Sequence, residues 1–175
     1  GEGKTTTAVN LALAYVESGQ RVVLVDADLR RPAVANLLGL ENAVGLTSVL
    51  VESIAVEDAI IATATGLDVL TAGEEAPNPA ELLASQRMRV LLEGLREEYD
   101  LVVVDTAPVL SVSDATVISQ YVDATVIVVN TRRTGKAKIE QAVAALQSVR
   151  ANLAGIVLNN VAVSRRDSYY YTSDR

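Results

Sequence analysis

Arg21-Val22-Val23-Leu24-Val25-Asp26-Ala27-Asp28 is an aliphatic run that stops on two acids. Side chains alternate across a strand, so a strand without a polar residue on either face needs cover on both sides, as in a parallel sheet. Residues 67–71, 101–104, 125–129 and 155–158 share this short, doubly apolar character. Between these runs, residues 5–18, 80–98 and 136–149 carry apolar side chains at helical spacing. Gly19 and Gln20 stop the first helix, and Asn78-Pro79 opens the second. Strand and helix in alternation predict an α/β domain with a doubly wound, mostly parallel sheet flanked by helices.

Ahead of that strand stands Gly1-Glu2-Gly3-Lys4-Thr5-Thr6, which runs directly into a helical stretch. It matches the second half of the phosphate-loop pattern G-x-x-x-x-G-K-[ST]. Glycines let backbone N–H groups close on phosphate oxygens, the following helix points its positive end at the anion, and Lys4 adds a full charge. Thr5 offers a hydroxyl to Mg²⁺, and Thr6 is placed to reach the α-phosphate. Residues Gly1, Glu2, Gly3, Lys4, Thr5 and Thr6 are thus the candidate binding residues for ATP with Mg²⁺. Gly1 falls inside the pattern rather than before it, so the natural chain is expected to extend further towards the N-terminus.

A bare Gly-Lys-Thr also begins many solvated helices, so the acids carry the decision. Residues 22–25 lead into Asp26-Ala27-Asp28, and residues 101–104 lead into Asp105-Thr106-Ala107-Pro108. In a parallel sheet the strand C-termini share one rim with the phosphate loop, so three carboxylates can converge on one Mg²⁺ and its waters. Any one Asp could be a helix cap or a turn residue. All three beside Gly-Lys-Thr favour a metal-nucleotide site. A second strand-end carboxylate exceeds what nucleotide hydrolysis requires and suggests proton removal from an attacking hydroxyl. Dinucleotide sites also pair a glycine-rich turn with an acid roughly 20 residues later, but they have no use for an ammonium and a metal-binding hydroxyl at the helix start.

Composition narrows the alternatives. The 175 residues are 50% hydrophobic and 21% charged, ordinary values for one globular domain. With no Cys and no His, thiol nucleophiles, imidazole or thiolate metal sites and Ser-His-Asp arrangements are excluded, and any metal must take oxygen ligands. A net charge of −7 gives no general basic face for nucleic acid. No apolar stretch approaches the roughly 18 residues of a membrane-spanning helix, and the start does not resemble a secretory signal.

Residues 1–163 read as the catalytic domain and residues 164–175 as a flexible, tyrosine-rich tail. That tail has no aliphatic side chain, and its Arg165, Arg166 and Arg175 against Asp167 and Asp174 leave a formal charge of +1. Tyr169, Tyr170 and Tyr171 stand side by side in it, although the chain has only six tyrosines and no other aromatic residue. A docking tail is the plain reading of such a run. Beside a MgATP site with a spare carboxylate, the three hydroxyls become candidate phosphoryl acceptors. Tyr15, Tyr99 and Tyr121 lie in or beside regular elements and read as packing residues.

These residues together resemble a known family, the bacterial tyrosine kinases of capsule and exopolysaccharide synthesis within the P-loop NTPases. The likeness rests on Gly-Glu-Gly-Lys-Thr at 1–5, Val-Asp-Ala-Asp-Leu-Arg-Arg-Pro at 25–32 and Gly-Leu-Thr-Ser-Val-Leu at 45–50. Leu-Thr-Ala-Gly at 70–73, Pro-Asn-Pro-Ala-Glu-Leu-Leu-Ala-Ser at 77–85, Val-Asp-Thr-Ala-Pro at 104–108 and the tyrosine cluster complete it. The resemblance implies a catalytic set of Lys4, Asp26, Asp28 and Asp105. In it, Lys4 and Thr5 bind phosphates and Mg²⁺, Asp28 and Asp105 hold the metal directly or through water, and Asp26 takes the tyrosine proton. It implies an adenine contact at Asn159. It also implies a homo-oligomeric ring whose subunits phosphorylate each other's tails, prompted by a membrane-bound polysaccharide co-polymerase adaptor at the cytoplasmic face of the plasma membrane. The central first strand, the start of the phosphate loop and a ring-forming helix are expected ahead of Gly1. Two other classes stay open: a MinD- or ParA-like switch ATPase that phosphorylates no protein, and a nucleotide-responsive interaction module with a docking tail.

Overall fold

In chain order the first half comprises α1 (Lys4–Glu17), β1 (Val22–Asp26), α2 (Val34–Leu38), α3 (Leu46–Leu50), α4 (Val56–Ala59), β2 (Ile61–Ala62) and β3 (Asp68–Leu70). The second half comprises α5 (Pro79–Leu83), α6 (Gln86–Glu98), β4 (Leu101–Asp105), α7 (Asp114–Ile118), β5 (Thr125–Asn130), α8 (Lys136–Ser148) and β6 (Leu153–Asn159). This computed structural model describes residues 2–161, so Gly1, the 163/164 boundary and Tyr169, Tyr170 and Tyr171 lie outside the described residues.

β1 is buried along its whole length, no residue of it exceeding 1% exposure. It pairs in parallel with β3 on one side and β4 on the other, and β2 adds an antiparallel edge to β3. Alternation along β1 divides the core into two layers. Val22 and Leu24 pack with Val9 and Ala12 of α1 and with Val69 and Val103. Val23 and Val25 face the opposite way, against Leu46, Leu50, Leu83, Met88 and Leu95 of α3, α5 and α6. Cover from both sides is what the doubly apolar sequence of β1 demands.

One expectation is revised. The helix read over residues 80–98 is broken into α5 and α6, because Ser85 adopts an extended backbone and its Oγ accepts from Met88 N at 3.3 Å while donating to Leu82 O at 2.7 Å. A serine so placed starts a new helix rather than continuing the old one. The strands are mostly parallel and flanked by helices, as expected, and among the described residues they form two sheets, ordered β2-β3-β1-β4 and β5-β6. β5 and β6 are parallel.

Between the layers, the segment after α2 is pinned to the end of β3. Asn42 donates to Gly73 O at 2.8 Å and accepts from Gly73 N at 3.1 Å, and Leu46 N donates to Thr71 O at 2.7 Å. Gly45 passes so close to Thr71 and Gly73 that a Cβ would overlap their backbone atoms. This explains the presence of Gly-Leu-Thr-Ser-Val-Leu and Leu-Thr-Ala-Gly as a pair: they are the two halves of one backbone contact.

Candidate active site

Gly3 has φ +85°, a left-handed conformation that favours glycine, and it turns the chain into α1. Thr7 caps that turn by donating both its N–H, at 2.9 Å, and its hydroxyl, at 2.8 Å, to Gly3 O. The first α1 turn lies at the rim where β1 and β4 end, because the Thr5 hydroxyl bonds to Asp105 there. A helix start with this geometry is suited to an anion.

Asp26 and Asp105 are register partners at the ends of β1 and β4, and both are buried. Thr5 Oγ1 donates to Asp105 Oδ2 at 2.5 Å, tying α1 to β4. Burial raises the Asp105 carboxyl above the usual range; the Thr5 hydroxyl and the Lys4 charge oppose this, and Asp28 adds to it. Asp26 has no exposed surface: its Oδ1 accepts from Asp28 N at 3.1 Å, and its Oδ2 accepts from Ala33 N at 3.1 Å and Val34 N at 3.0 Å. Burial pushes its carboxyl up to about 6, the Val34 N–H works against that, and the charge of Asp105 reinforces it. Asp28, alone of the three, keeps partial exposure, and its Oδ1 accepts from Arg31 N at 3.1 Å to close the turn after β1.

Lys4 Nζ lies 3.1 Å from Glu2 Oε2 within the loop itself. Burial acts to raise the Glu2 carboxyl, but its own backbone N–H and Lys4 outweigh this and hold it below its ordinary value. Thr6 is exposed on the first turn of α1. Asn159, at the end of β6, donates from Nδ2 to Glu2 O at 3.2 Å and to Thr7 Oγ1 at 3.4 Å, so its amide braces the phosphate loop. A Cβ on Gly3 would collide with that amide.

The structure therefore brings Lys4, Thr5, Asp26, Asp28 and Asp105 to one rim, with Glu2, Gly3 and Asn159 around the loop. Among the described residues, no three Asp, Glu, His or Cys side chains are gathered into a metal cage. Mg²⁺ commonly keeps several waters and takes only one or two protein ligands, all oxygen. The Thr5 hydroxyl beside the Asp105 carboxylate, with Asp28 across the same rim, satisfies that requirement. The Gly3 cradle and the α1 start fit a phosphate chain equally well.

One contact had no counterpart in the sequence reading. Arg30, in the turn after β1, forms a two-pronged ion pair with Asp114 at the start of α7, through Nε–Oδ2 at 2.7 Å and Nη2–Oδ1 at 3.3 Å. Nothing in the spacing of two charges 84 residues apart announces such a pairing.

A family model described as an AAA domain matches residues 1–159. The chain is 42% identical over 172 residues to the tyrosine-protein kinase YwqD of Bacillus subtilis, covering 98% of this chain and 73% of that protein. The crystal structure of the VpsO kinase domain superposes with a TM-score of 0.88 at 38% identity, covering 93% of this chain and 80% of that one. The cell division ATPase MinD of Pyrococcus furiosus is more distant, at 27% identity and a TM-score of 0.77 over 95% of this chain and 70% of that one.

Proposed function

Because the chain belongs to the bacterial tyrosine-protein kinases built on a P-loop AAA domain, we propose that it transfers the γ-phosphoryl of MgATP to tyrosine hydroxyls, those of Tyr169, Tyr170 and Tyr171 among them. The observation that carries this reading is the shared rim: the Thr5 hydroxyl on Asp105 at 2.5 Å, with a second buried acid, Asp26, in register on the neighbouring strand. A switch ATPase needs the first of these features. The second fits an enzyme that must also remove a proton from its acceptor.

Gly3 and the N–H groups of the first α1 turn hold the phosphate chain, and Lys4 leaves Glu2 to neutralise the oxygens of the migrating group. Thr5, Asp28 and Asp105 would hold the metal, the two carboxylates directly or through water. Mg²⁺ held there would supply charge neutralisation for the migrating group. Asp26, with a carboxyl held near 6, is ionised at neutral pH and basic enough to accept the tyrosine proton. Asn159 keeps the loop in its cradle beside the adenine end of the site. Catalysis of this kind is positioning and electrostatics rather than covalent chemistry.

The tail carries the acceptors because its formal charge of +1 draws it towards a carboxylate-lined rim. Each phosphotyrosine adds about −1.5 to −2 charge, so two or three reverse its sign and expel it. The biological setting we propose is control of capsular or exopolysaccharide synthesis at the inner face of the plasma membrane. There, a membrane-bound co-polymerase acts as adaptor to a ring of subunits; among the described residues no helix is long and apolar enough to cross a membrane.

Full-length protein given MgATP should acquire phosphotyrosine in residues 164–175. Changing Tyr169, Tyr170 and Tyr171 to Phe should remove it, and Lys4→Met should abolish it. Release of inorganic phosphate from an unmodified tail would instead assign the chain to the switch ATPases.

A further inference from the structure

Asp114 has no exposed side-chain surface, and its one side-chain partner among the described residues is Arg30, whose side chain is 39% exposed. The turn that presents Arg30 is shaped by the site's own acids. Asp28 Oδ1 accepts from Arg31 N, and Asp26 Oδ2 accepts from Ala33 N and Val34 N, so residues 27–34 wrap the carboxylates and leave the guanidinium pointing across to α7. Arg30 donates to both oxygens of the Asp114 carboxylate. Among the described residues, the two bonds of this fork are the side-chain hydrogen bonds that join residues 27–34 to residues 106–114. The first segment carries Asp28, and the second leaves β4 directly after Asp105.

We propose that Arg30 and Asp114 are positioning residues that fix the separation of Asp28 and Asp105 and thereby set the affinity of the site for its divalent cation. The proposal rests on the reading of this rim as a metal-nucleotide site. Asp28 sits in a turn, and Asp105 ends a strand whose following residues, 106–113, form no regular element. Ala27 N donates to Asp105 O at 2.8 Å and joins the two strand ends; beyond that bond the fork is a second tie, between the turn that carries Asp28 and the segment that follows Asp105. A planar guanidinium holding both oxygens of a buried carboxylate restricts distance and orientation together, which an ammonium cannot do. The pair makes no side-chain hydrogen bond to Lys4, Thr5, Asp26, Asp28 or Asp105 among the described residues. Its influence passes through Asp28 and the backbone after Asp105, as groups behind metal ligands commonly act.

The test uses Mn²⁺ as the probe, titrated into full-length protein with ADP and followed by electron paramagnetic resonance. Wild type, Arg30→Lys, Arg30→Gln and Asp114→Asn are compared, with thermal midpoints measured alongside. Arg30→Gln and Asp114→Asn should weaken Mn²⁺ binding roughly tenfold, the usual scale for loss of a group that orients metal ligands, and Arg30→Lys should fall between them and wild type. Folded variants that bind Mn²⁺ like wild type and differ only in thermal midpoint would show the pair to be merely structural and overturn the proposal. Arg30→Gln leaves Asp114 buried without a cation and is the variant most prone to unfold; the decision then falls to Arg30→Lys and to the neutral Asp114→Asn. Absence of Mn²⁺ binding in wild type would overturn the metal-site reading itself, and the proposal with it.

Discussion

Thr5 and Asp105, 100 positions apart in sequence, share a hydrogen bond of 2.5 Å that joins the first turn of α1 to the end of β4. The hydroxyl is both the donor that offsets part of the burial of Asp105 and the oxygen that a hard cation would take. Thr5→Ser preserves the oxygen and should keep phosphotyrosine formation within a few-fold of wild type. Thr5→Val preserves the shape and removes the oxygen, and should lower Mg²⁺-dependent transfer by about 100-fold, the upper range for disturbing a metal site. Initial rates of the two variants at saturating ATP check this. Equal losses would mean that the hydroxyl group matters only for packing.

Asp26 makes a separate prediction about pH. Its carboxyl is held up to about 6 by burial, so the folded protein retains a proton that the unfolded chain releases near the ordinary aspartate value. Folding stability must therefore fall as pH rises from about 4 to 6 and level off above, by about 3 kcal/mol from this one group. Asp26→Asn removes that slope, although its amide cannot accept from all three N–H groups that Asp26 satisfies. Urea unfolding at pH 4, 5, 6 and 7 should show wild type losing stability relative to the variant across that interval. The transfer rate should rise through the same interval as the base ionises. Parallel stability profiles would show that the carboxyl is not perturbed.

All five expected runs correspond to strands, β1, β3, β4, β5 and β6; burial accounts for the continuous aliphatic record of β1, whereas β5 and β6 carry the same composition with Val126, Ile156, Val157 and Leu158 exposed. β2 left no such record: two residues at an antiparallel edge, one of them exposed, need no special composition. The break at Ser85 was hidden because α5 and α6 bury Leu83 and Met88 in the same layer, so apolar spacing runs on across the cap. At the site, Lys4, Thr5, Asp26, Asp28 and Asp105 could be read from motif and strand ends. Arg30 and Asp114 could not, since a pairing between distant segments exists only once the sheet order has brought their strands together. The bracing of Glu2 by Asn159 was hidden for the same reason, because it depends on where β6 ends in space.

Gly45 tests the backbone contact that locks the segment before α3 onto the end of β3. Its φ of 179° is ordinary extended backbone, so the constraint is steric and not conformational. Alanine there would drive a methyl group into Thr71 O and Gly73 N, backbone atoms that cannot swing aside. Gly45→Ala should lower stability by about 3 kcal/mol, at the upper end of overpacking costs. Gly135, where a Cβ meets nothing within 4 Å, serves as the control and should tolerate alanine with little change. Urea denaturation of both variants gives the comparison, and equal midpoints would remove the claim that Gly45 is there for close approach.

Tyr99 tests whether the tail tyrosines are chosen by accessibility. Its hydroxyl donates to Asp68 Oδ2 at 2.8 Å, and burial together with that carboxylate pushes its pKa up to about 12. A phenol that is already hydrogen-bonded to a carboxylate and resists ionisation is a poor nucleophile, and β3 fixes its partner in place. Mass-spectrometric mapping after incubation with MgATP should find phosphate in residues 164–175 and none on Tyr99, even when Tyr169, Tyr170 and Tyr171 are all Phe. Tyr99→Phe should leave tail phosphorylation unchanged and lower stability by about 1 kcal/mol, or up to about 3 if Asp68 is left unsatisfied. Phosphate on Tyr99 would require this hydrogen bond to open in the folded protein, and acceptor choice would then have to be explained by something other than exposure.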